Sequence, residues 1–246
     1  MVLGAFNEAA ATPAPIALYA PAQRSSTFDA CKHLFPQLTP VPLSSVSAQW
    51  QPRALCSDGF AVLYSATSKT PLLVVEMLDG AQLHDTQTRN NAFFADPRLA
   101  PGARAELTDY LGSGWDRGHL AAAADRDTAQ AMAQSFALSN MVPQDPVNNR
   151  KIWSKVEADT RKYVRRTQAQ VFVFSGPLFD AGYTTMGDNR VYVPTRLFKL
   201  VYDPLAQRAW AHILPNRADA RLGPPVDYRR FVAETHWDVL AGQPLR

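Results

Sequence analysis

Phe60-Ala-Val-Leu-Tyr-Ser65 and Leu72-Leu-Val-Val-Glu76 are short, apolar, β-branched runs, and Ser68-Lys-Thr-Pro71 between them carries turn chemistry. Two such runs around a turn predict an antiparallel hairpin, which commits the chain to a sheet-centred fold. Further short strands are expected at Val171–Ser175, Val191–Val193, Phe198–Tyr202 and Trp210–Ile213. Helices are expected at Asp127–Leu138, rich in Ala, Met and Gln, and from Asn149 to about Arg166, where Ile152, Val156, Tyr163 and Val164 fall roughly on one side. Strands and helices in this order give an α+β fold, a central, mostly antiparallel sheet flanked by helices. The prolines of the first 23 residues support neither a helix nor a central strand, so residues 1–30 are expected to form a loosely structured arm before a single domain at 31–246. The proline- and serine-bearing stretch Thr39–Pro52 reads as a connector.

The sequence is 46% hydrophobic and 19% charged, ordinary for a soluble globular protein, and no apolar run reaches the ~20 residues that span a bilayer. No membrane partner is therefore expected. The net charge of +3 is too small to argue for a polyanionic partner by itself, so the placement of charge must do so. Cys31 and Cys56 form no CxxC motif; they are either two buried thiols or one disulfide tying the arm to the first strand, which would imply an oxidising compartment. The N-terminus lacks the basic and apolar stretches of a signal peptide, so a secreted or periplasmic address would need a leader already removed or another export route.

The chemistry concentrates between Arg89 and Arg161, around Trp115-Asp-Arg-Gly-His-Leu120, Leu138-Ser-Asn-Met-Val-Pro-Gln144 and Asn148-Asn-Arg-Lys-Ile-Trp-Ser-Lys-Val-Glu157. Hydrolysing a phosphodiester needs an activated water, charge relief on the phosphate and help for the leaving oxygen. A histidine such as His119 suits the first task, being largely neutral above its ordinary pKa of about 6.5. Gly118 before it lets the backbone pass close to a neighbour at a strand end. A hard cation such as Mg²⁺ suits the other two tasks, and the neutral carbonyl oxygen of an asparagine would leave its charge undiminished. Asn149, Trp153, Glu157 and Arg161 are spaced by four and stack along a helix, with Asn149 at its start, Trp153 against the core, Glu157 beside the cation's waters and Arg161 reaching a phosphate. That helix also carries Arg150, Lys151, Lys155, Lys162, Arg165 and Arg166 against Glu157 and Asp159, and with Arg89 and Arg117 offers a surface that tracks phosphates without reading bases. His33, His84, His212 and His236 read as structural, Trp115 and Trp153 as core, and Asp116 as a brace for the strand end.

These residues resemble the DNA/RNA non-specific endonucleases of the ββα-metal, or His-Me finger, group. Asp116-Arg117-Gly118-His119 matches that family's DRGH signature, and Asn149, Trp153 and Glu157 match its downstream pattern. Ser139-Asn140 with Pro143-Gln144, and Arg89-Asn-Asn-Ala-Phe93 with Asp96-Pro97, are similar to its flanking segments. The similarity runs from about Leu55 to Val173, more weakly to Leu214, and leaves out the arm before Cys31 and the tail after Pro215.

The resemblance implies a ββα-metal finger site and a nuclease domain over residues 31–246. Catalytic roles fall to His119 as general base, with Arg89, Arg117, Asn140 and Glu157 around it, Asn140 helping to hold the histidine. Asn149 would be the single protein ligand of Mg²⁺, or of Mn²⁺ in its place, and Arg89, Arg117 and Arg161 would bind substrate. The expected products are 5′-phosphate and 3′-hydroxyl ends of DNA and RNA. The adjacency of Asn148 and Asn149 leaves a register alternative, which the spacing to Trp153 and Glu157 settles toward Asn149. A nucleic-acid-binding protein on a nuclease scaffold is the alternative, as is use of the same nuclease as a secreted antibacterial toxin, which would call for an immunity or inhibitor protein. The sequence leaves monomer or homodimer open.

Overall fold

The computed structural model describes residues 15–83, 88, 89 and 91–246. Its strands and helices in chain order are β1 (Pro52–Ser57), β2 (Phe60–Ser65), β3 (Thr70–Asp79), α1 (Leu107–Tyr110), β4 (Asp116–His119), α2 (Ala129–Ser135), β5 (Met141–Gln144), α3 (Ser154–Thr167), β6 (Gln170–Leu178), β7 (Thr184–Met186), β8 (Val191–Val193), β9 (Arg196–Asp203), β10 (Arg208–Pro215), β11 (Val226–Asp227) and α4 (Tyr228–Thr235). Seven strands form one sheet in the order β1-β2-β3-β6-β9-β10-β11, antiparallel throughout. The α+β reading and the β2–β3 hairpin hold.

The strand runs are apolar without interruption because both faces of the sheet are covered. Side chains alternate between faces. Ala54, Cys56, Ala61, Leu63, Leu73 and Val75 pack on one side with Leu34, Phe35 and Phe231, from the N-terminal segment and α4. Leu55, Val62, Tyr64 and Val74 pack on the other with Leu120, Val142, Trp153 and Val156. That second layer is a two-stranded ribbon, β4 paired with β5, followed by α3.

Three expectations are corrected. The arm is not loose from residue 15 onward. Pro15–Leu18, Pro21–Arg24 and Asp29–Leu34 form short 3-10 turns, Tyr19 is buried, and its ring lies 3.8 Å from the Arg98 guanidinium carbon. A stacked cation and burial of a large ring together offset the ordering of this segment; the part before residue 15 and His84 lie outside the described residues. The helix expected at Asp127–Leu138 is limited to Ala129–Ser135, with the Thr128 hydroxyl capping Ala131 N. The helix expected from Asn149 opens as a π-helical turn, Asn148–Trp153, before α3 begins. Such wider turns occur often at functional sites. Among the described residues no helix is long and apolar enough to cross a membrane.

Cys31 and Cys56 are joined, the second of the two readings, across a sequence separation of 25. Replacing both by alanine should lower stability by about 2–4 kcal/mol, as expected for opening a loop of this size; an unchanged urea midpoint would show that the segment holds by packing alone.

Candidate active site

β4 is only four residues long, yet it carries Asp116, Arg117, Gly118 and His119 in fixed alternation. The strand is pressed tightly on β5: a Cβ at Gly118 would lie 2.7 Å from Gln144 Cβ, closer than any side chain tolerates. Glycine is thus demanded here by close approach. The helix that follows grips both ends of the strand. Asn149 Nδ2 donates to Asp116 Oδ2 at 2.9 Å, and Trp153 Nε1 donates to the His119 carbonyl at 3.2 Å.

His119 closes β4 and is nearly buried, 7% exposed. Its imidazole packs against Phe93 and Phe136, with ring centroids 5.6 and 5.1 Å away, and those two rings touch each other at 5.0 Å, so the three form a triangle. Two guanidiniums cover those same rings: Arg117 lies 4.2 Å from the Phe93 centroid and Arg89 5.4 Å from that of Phe136. Burial, then the positive charges of Arg89, Arg126 and Arg117, drives the histidine down to about 3, so it is neutral at any physiological pH. Its Nε2 is buried without a hydrogen-bond partner. An unpartnered polar atom in an interior invites a ligand or water. Arg89 Nε also donates to Asn91 Oδ1 at 2.6 Å and its side chain stays exposed, while Arg117 is half-buried. Asn90, between Arg89 and Asn91, lies outside the described residues.

The two adjacent asparagines divide their tasks. Asn148 is fully buried and spent: its Oδ1 accepts from Gln144 Nε2 at 2.7 Å and its Nδ2 donates to the Pro215 carbonyl at 2.8 Å. Asn149 is half-buried, and the Asp116 carboxylate, an acceptor only, orients its amide nitrogen inward. Among the described residues no group donates to Asn149 Oδ1, a neutral oxygen that fits a hard cation. Asp116 also pairs with Arg150 at 2.6 Å; these partners, against its partial burial, hold its carboxyl below the usual range. Read from sequence as a brace, Asp116 therefore also aims the amide beside it. Among the described residues no group of three or more His, Cys, Asp or Glu is gathered as a metal cage.

The side-chain contacts of Asn140 and Arg161 run to groups other than the imidazole. Asn140 does not reach the imidazole. Its Oδ1 accepts from Ala121 N, and its Nδ2 donates to the carbonyls of Ala121 and Ser135, each at 2.9 Å, so it fixes the backbone just after His119. Arg161 turns inward to Asp125 at 2.9 Å with its side chain 16% exposed, because a buried carboxylate competes for it more strongly than solvent.

Behind the ribbon lies a charged interior that motif reading missed. Glu76, Ser175 and Lys199 are all buried on the sheet face turned to β4. Lys199 Nζ donates to the Leu120 carbonyl at 3.1 Å and to Ser175 Oγ at 2.7 Å, lies 3.8 Å from Glu76 Oε1, and stands 5.4 Å from the Trp153 ring. Arg126 pairs with the other oxygen of Glu76. Burial pushes the Glu76 carboxyl upward against these two cations. Burial likewise pushes Glu157 up to about 7, with Lys199 opposing it and Asp125 adding to it. The sequence signal was present: one lysine in Leu197-Phe-Lys-Leu-Val201 and one glutamate in Val74-Val-Glu-Met77, charges where strand burial should forbid them.

The model for DNA/RNA non-specific endonucleases matches residues 43–238. The chain belongs to this family. The match extends past both limits expected from the motifs, taking in the connector before β1 and α4. Human mitochondrial nuclease EXOG is 33% identical over 185 residues, covering 67% of this chain and 50% of EXOG. Human mitochondrial endonuclease G is 37% identical, covering 58% of this chain and 52% of its own length. Nuclease C1 of Cunninghamella echinulata var. echinulata is 38% identical, covering 65% and 70%. A crystal structure of an EndoG/EndoGI complex, concerned with EndoG inhibition, superposes with a TM-score of 0.67 at 26% identity, covering 74% of this chain and 83% of that one. The chain thus spans about half the length of the EXOG relatives it matches.

Lys199 joins Glu76 and Ser175 of the sheet to the Leu120 carbonyl of the ribbon. Lys199→Ala should destabilise the protein by about 2–4 kcal/mol, from the cavity left and from buried acceptors that lose their donor, Arg126 still facing Glu76. A loss under 1 kcal/mol by urea unfolding would mean that the ribbon is held by its apolar contacts alone.

Proposed function

We propose that the chain is a Mg²⁺-dependent endonuclease that hydrolyses DNA and RNA with little sequence preference and leaves 5′-phosphate and 3′-hydroxyl ends. The observation that carries this reading is an imidazole whose buried Nε2 has no hydrogen-bond partner among the described residues, beside two guanidiniums. A base must be unprotonated before it can take a proton, and the anionic phosphate needs cations beside it. His119 accepts the proton of the attacking water, while Arg89 and Arg117 bind phosphate oxygens and steady the charge that grows on them. Asn149 Oδ1, aimed by Asp116, would hold the divalent cation, Mg²⁺ or Mn²⁺, with water as its remaining ligands. Such a cation supplies Lewis-acid relief of the phosphate charge and stabilises the departing 3′ oxygen. Glu157 orients water near that position, and Asn140 keeps the strand end in place. Arg161, held by Asp125, would add positive charge beside the bound strand. No base-reading group is invoked, which accounts for tolerance of sequence and of sugar.

The disulfide fits a secreted or periplasmic enzyme, although relatives include mitochondrial nucleases. An inhibitor protein as partner is suggested by the EndoG/EndoGI neighbour.

Digestion of supercoiled plasmid and of total RNA should proceed with Mg²⁺ and stop with EDTA. His119→Ala should lower kcat about 10²–10⁴-fold; wild-type cutting by this variant would remove the histidine from the mechanism. Asp116→Ala should weaken metal affinity about 10–100-fold, read as a raised Mg²⁺ half-saturation. The pH profile separates two groups. Glu157 ionises only above about 7, so kcat/KM should fall as pH drops through 7, whereas His119 stays neutral down to about 3. Glu157→Gln should abolish that limb; its persistence would assign the titration elsewhere.

A further inference from the structure

Between α3 and β10 opens a cleft of about 490 Å³ whose lining includes none of the residues around His119. Tyr163 and Trp210 meet edge-to-face in it, centroids 4.7 Å apart, and both are half-buried. Lys162, Arg166 and Arg208 reach it from the rim, all exposed, and His212 lies at its side. Arg166 stands 5.5 Å from the Tyr163 centroid. The neighbouring acids are already committed. Asp159 serves Lys155 at 2.7 Å and Lys162 at 3.6 Å, and Asp203 accepts from the Tyr163 hydroxyl at 2.6 Å and from Ala206 N at 2.8 Å. Arg166 and Arg208 thus have no carboxylate partner among the described residues.

We propose that this cleft is a second contact for single-stranded nucleic acid, holding a stretch of the substrate strand remote from the scissile bond. The inference rests on the nuclease reading for its substrate class. Flat rings with unneutralised cations at their rim are the chemistry of sequence-tolerant strand binding, with a base against the aromatic face and phosphates on the arginines. The volume suits a nucleotide-sized group. An acidic protein surface would satisfy the arginines but leave the rings and the concavity without a role. The cleft lies toward the far end of α3 from Asn149, and the 14 residues of α3 alone extend about 20 Å. A strand stacked at about 3.4 Å per nucleotide needs about six nucleotides to touch both sites, and a fully extended one about three beyond the scissile phosphate, more than a 4-mer cut at its centre supplies.

The test compares a 4-nucleotide and a 30-nucleotide single-stranded DNA. Arg208→Glu should raise KM for the 30-mer about fivefold or more, leaving kcat and the KM of the 4-mer unchanged. Binding of the 30-mer to His119→Ala protein in EDTA gives an independent reading. The slope of log affinity against log salt should fall by about 0.7 for Arg208→Ala, and likewise for Arg166→Ala, as for one lost phosphate contact. Equal KM changes for both lengths, or an unchanged slope in both alanine variants, overturns the proposal. If no substrate is cleaved at all, the nuclease reading fails, while the salt slopes still decide the cleft.

Discussion

The ammonium of Lys199 holds the working layer to the frame. It rises from the central sheet, donates across the layer boundary to the Leu120 carbonyl, and lies over Trp153, which itself grips the His119 carbonyl. A buried cation must be matched by an anion and by acceptors, and Glu76, Ser175 and Leu120 together meet that demand. The demand is directional. The observed placement of the β4–β5 ribbon puts the Leu120 carbonyl where the ammonium can use it. Two strands of four residues have no stability of their own, so the sheet, through this contact and the apolar layer around it, supplies what the ribbon lacks.

Charge is sorted by depth. Carboxylates gather behind the ribbon, where Glu76, Asp125 and Glu157 share Arg126, Arg161 and Lys199. Arg89 and Arg117 remain in front, covering the aromatic walls around His119. The same desolvation that pushes the carboxyls up drives the histidine down, so a single property of the environment sets two kinds of group in opposite senses. Arg161 illustrates the sorting: a cation on the basic helix is drawn inward once Asp125 is buried beneath it.

The segment from residue 15 to β1 is continuous with this design. Tyr19 stacks on Arg98, Arg98 pairs with Asp96 at 2.6 Å, and Asp96 accepts from Ser139, the neighbour of Asn140. Packing at the N-terminal segment thereby reaches the backbone beside His119 through contacts between buried groups, with the Cys31–Cys56 bond fastening the segment to β1. Part of this segment precedes the residues matched by the family model, so it adds support to a site that the family pattern alone describes.

The sequence by itself determined the hairpin, the strands, the basic helix, the histidine at a strand end and the four-residue spacing that sets Asn149, Trp153 and Glu157 along one helix. Each of these is written in short-range information: alternation, four-residue spacing, a glycine where backbones close in, a tetrapeptide with a partner about thirty residues on. Tertiary structure alone decided the rest. The widened first turn at Asn148–Trp153, the inward turn of Arg161, the backbone role of Asn140, the packed arm and the joined cysteines all depend on groups far apart in the chain. A charge or an amide chooses its partner only after folding has removed water from around it, and which partners remain within reach is a property of the closed sheet, not of the residues beside it.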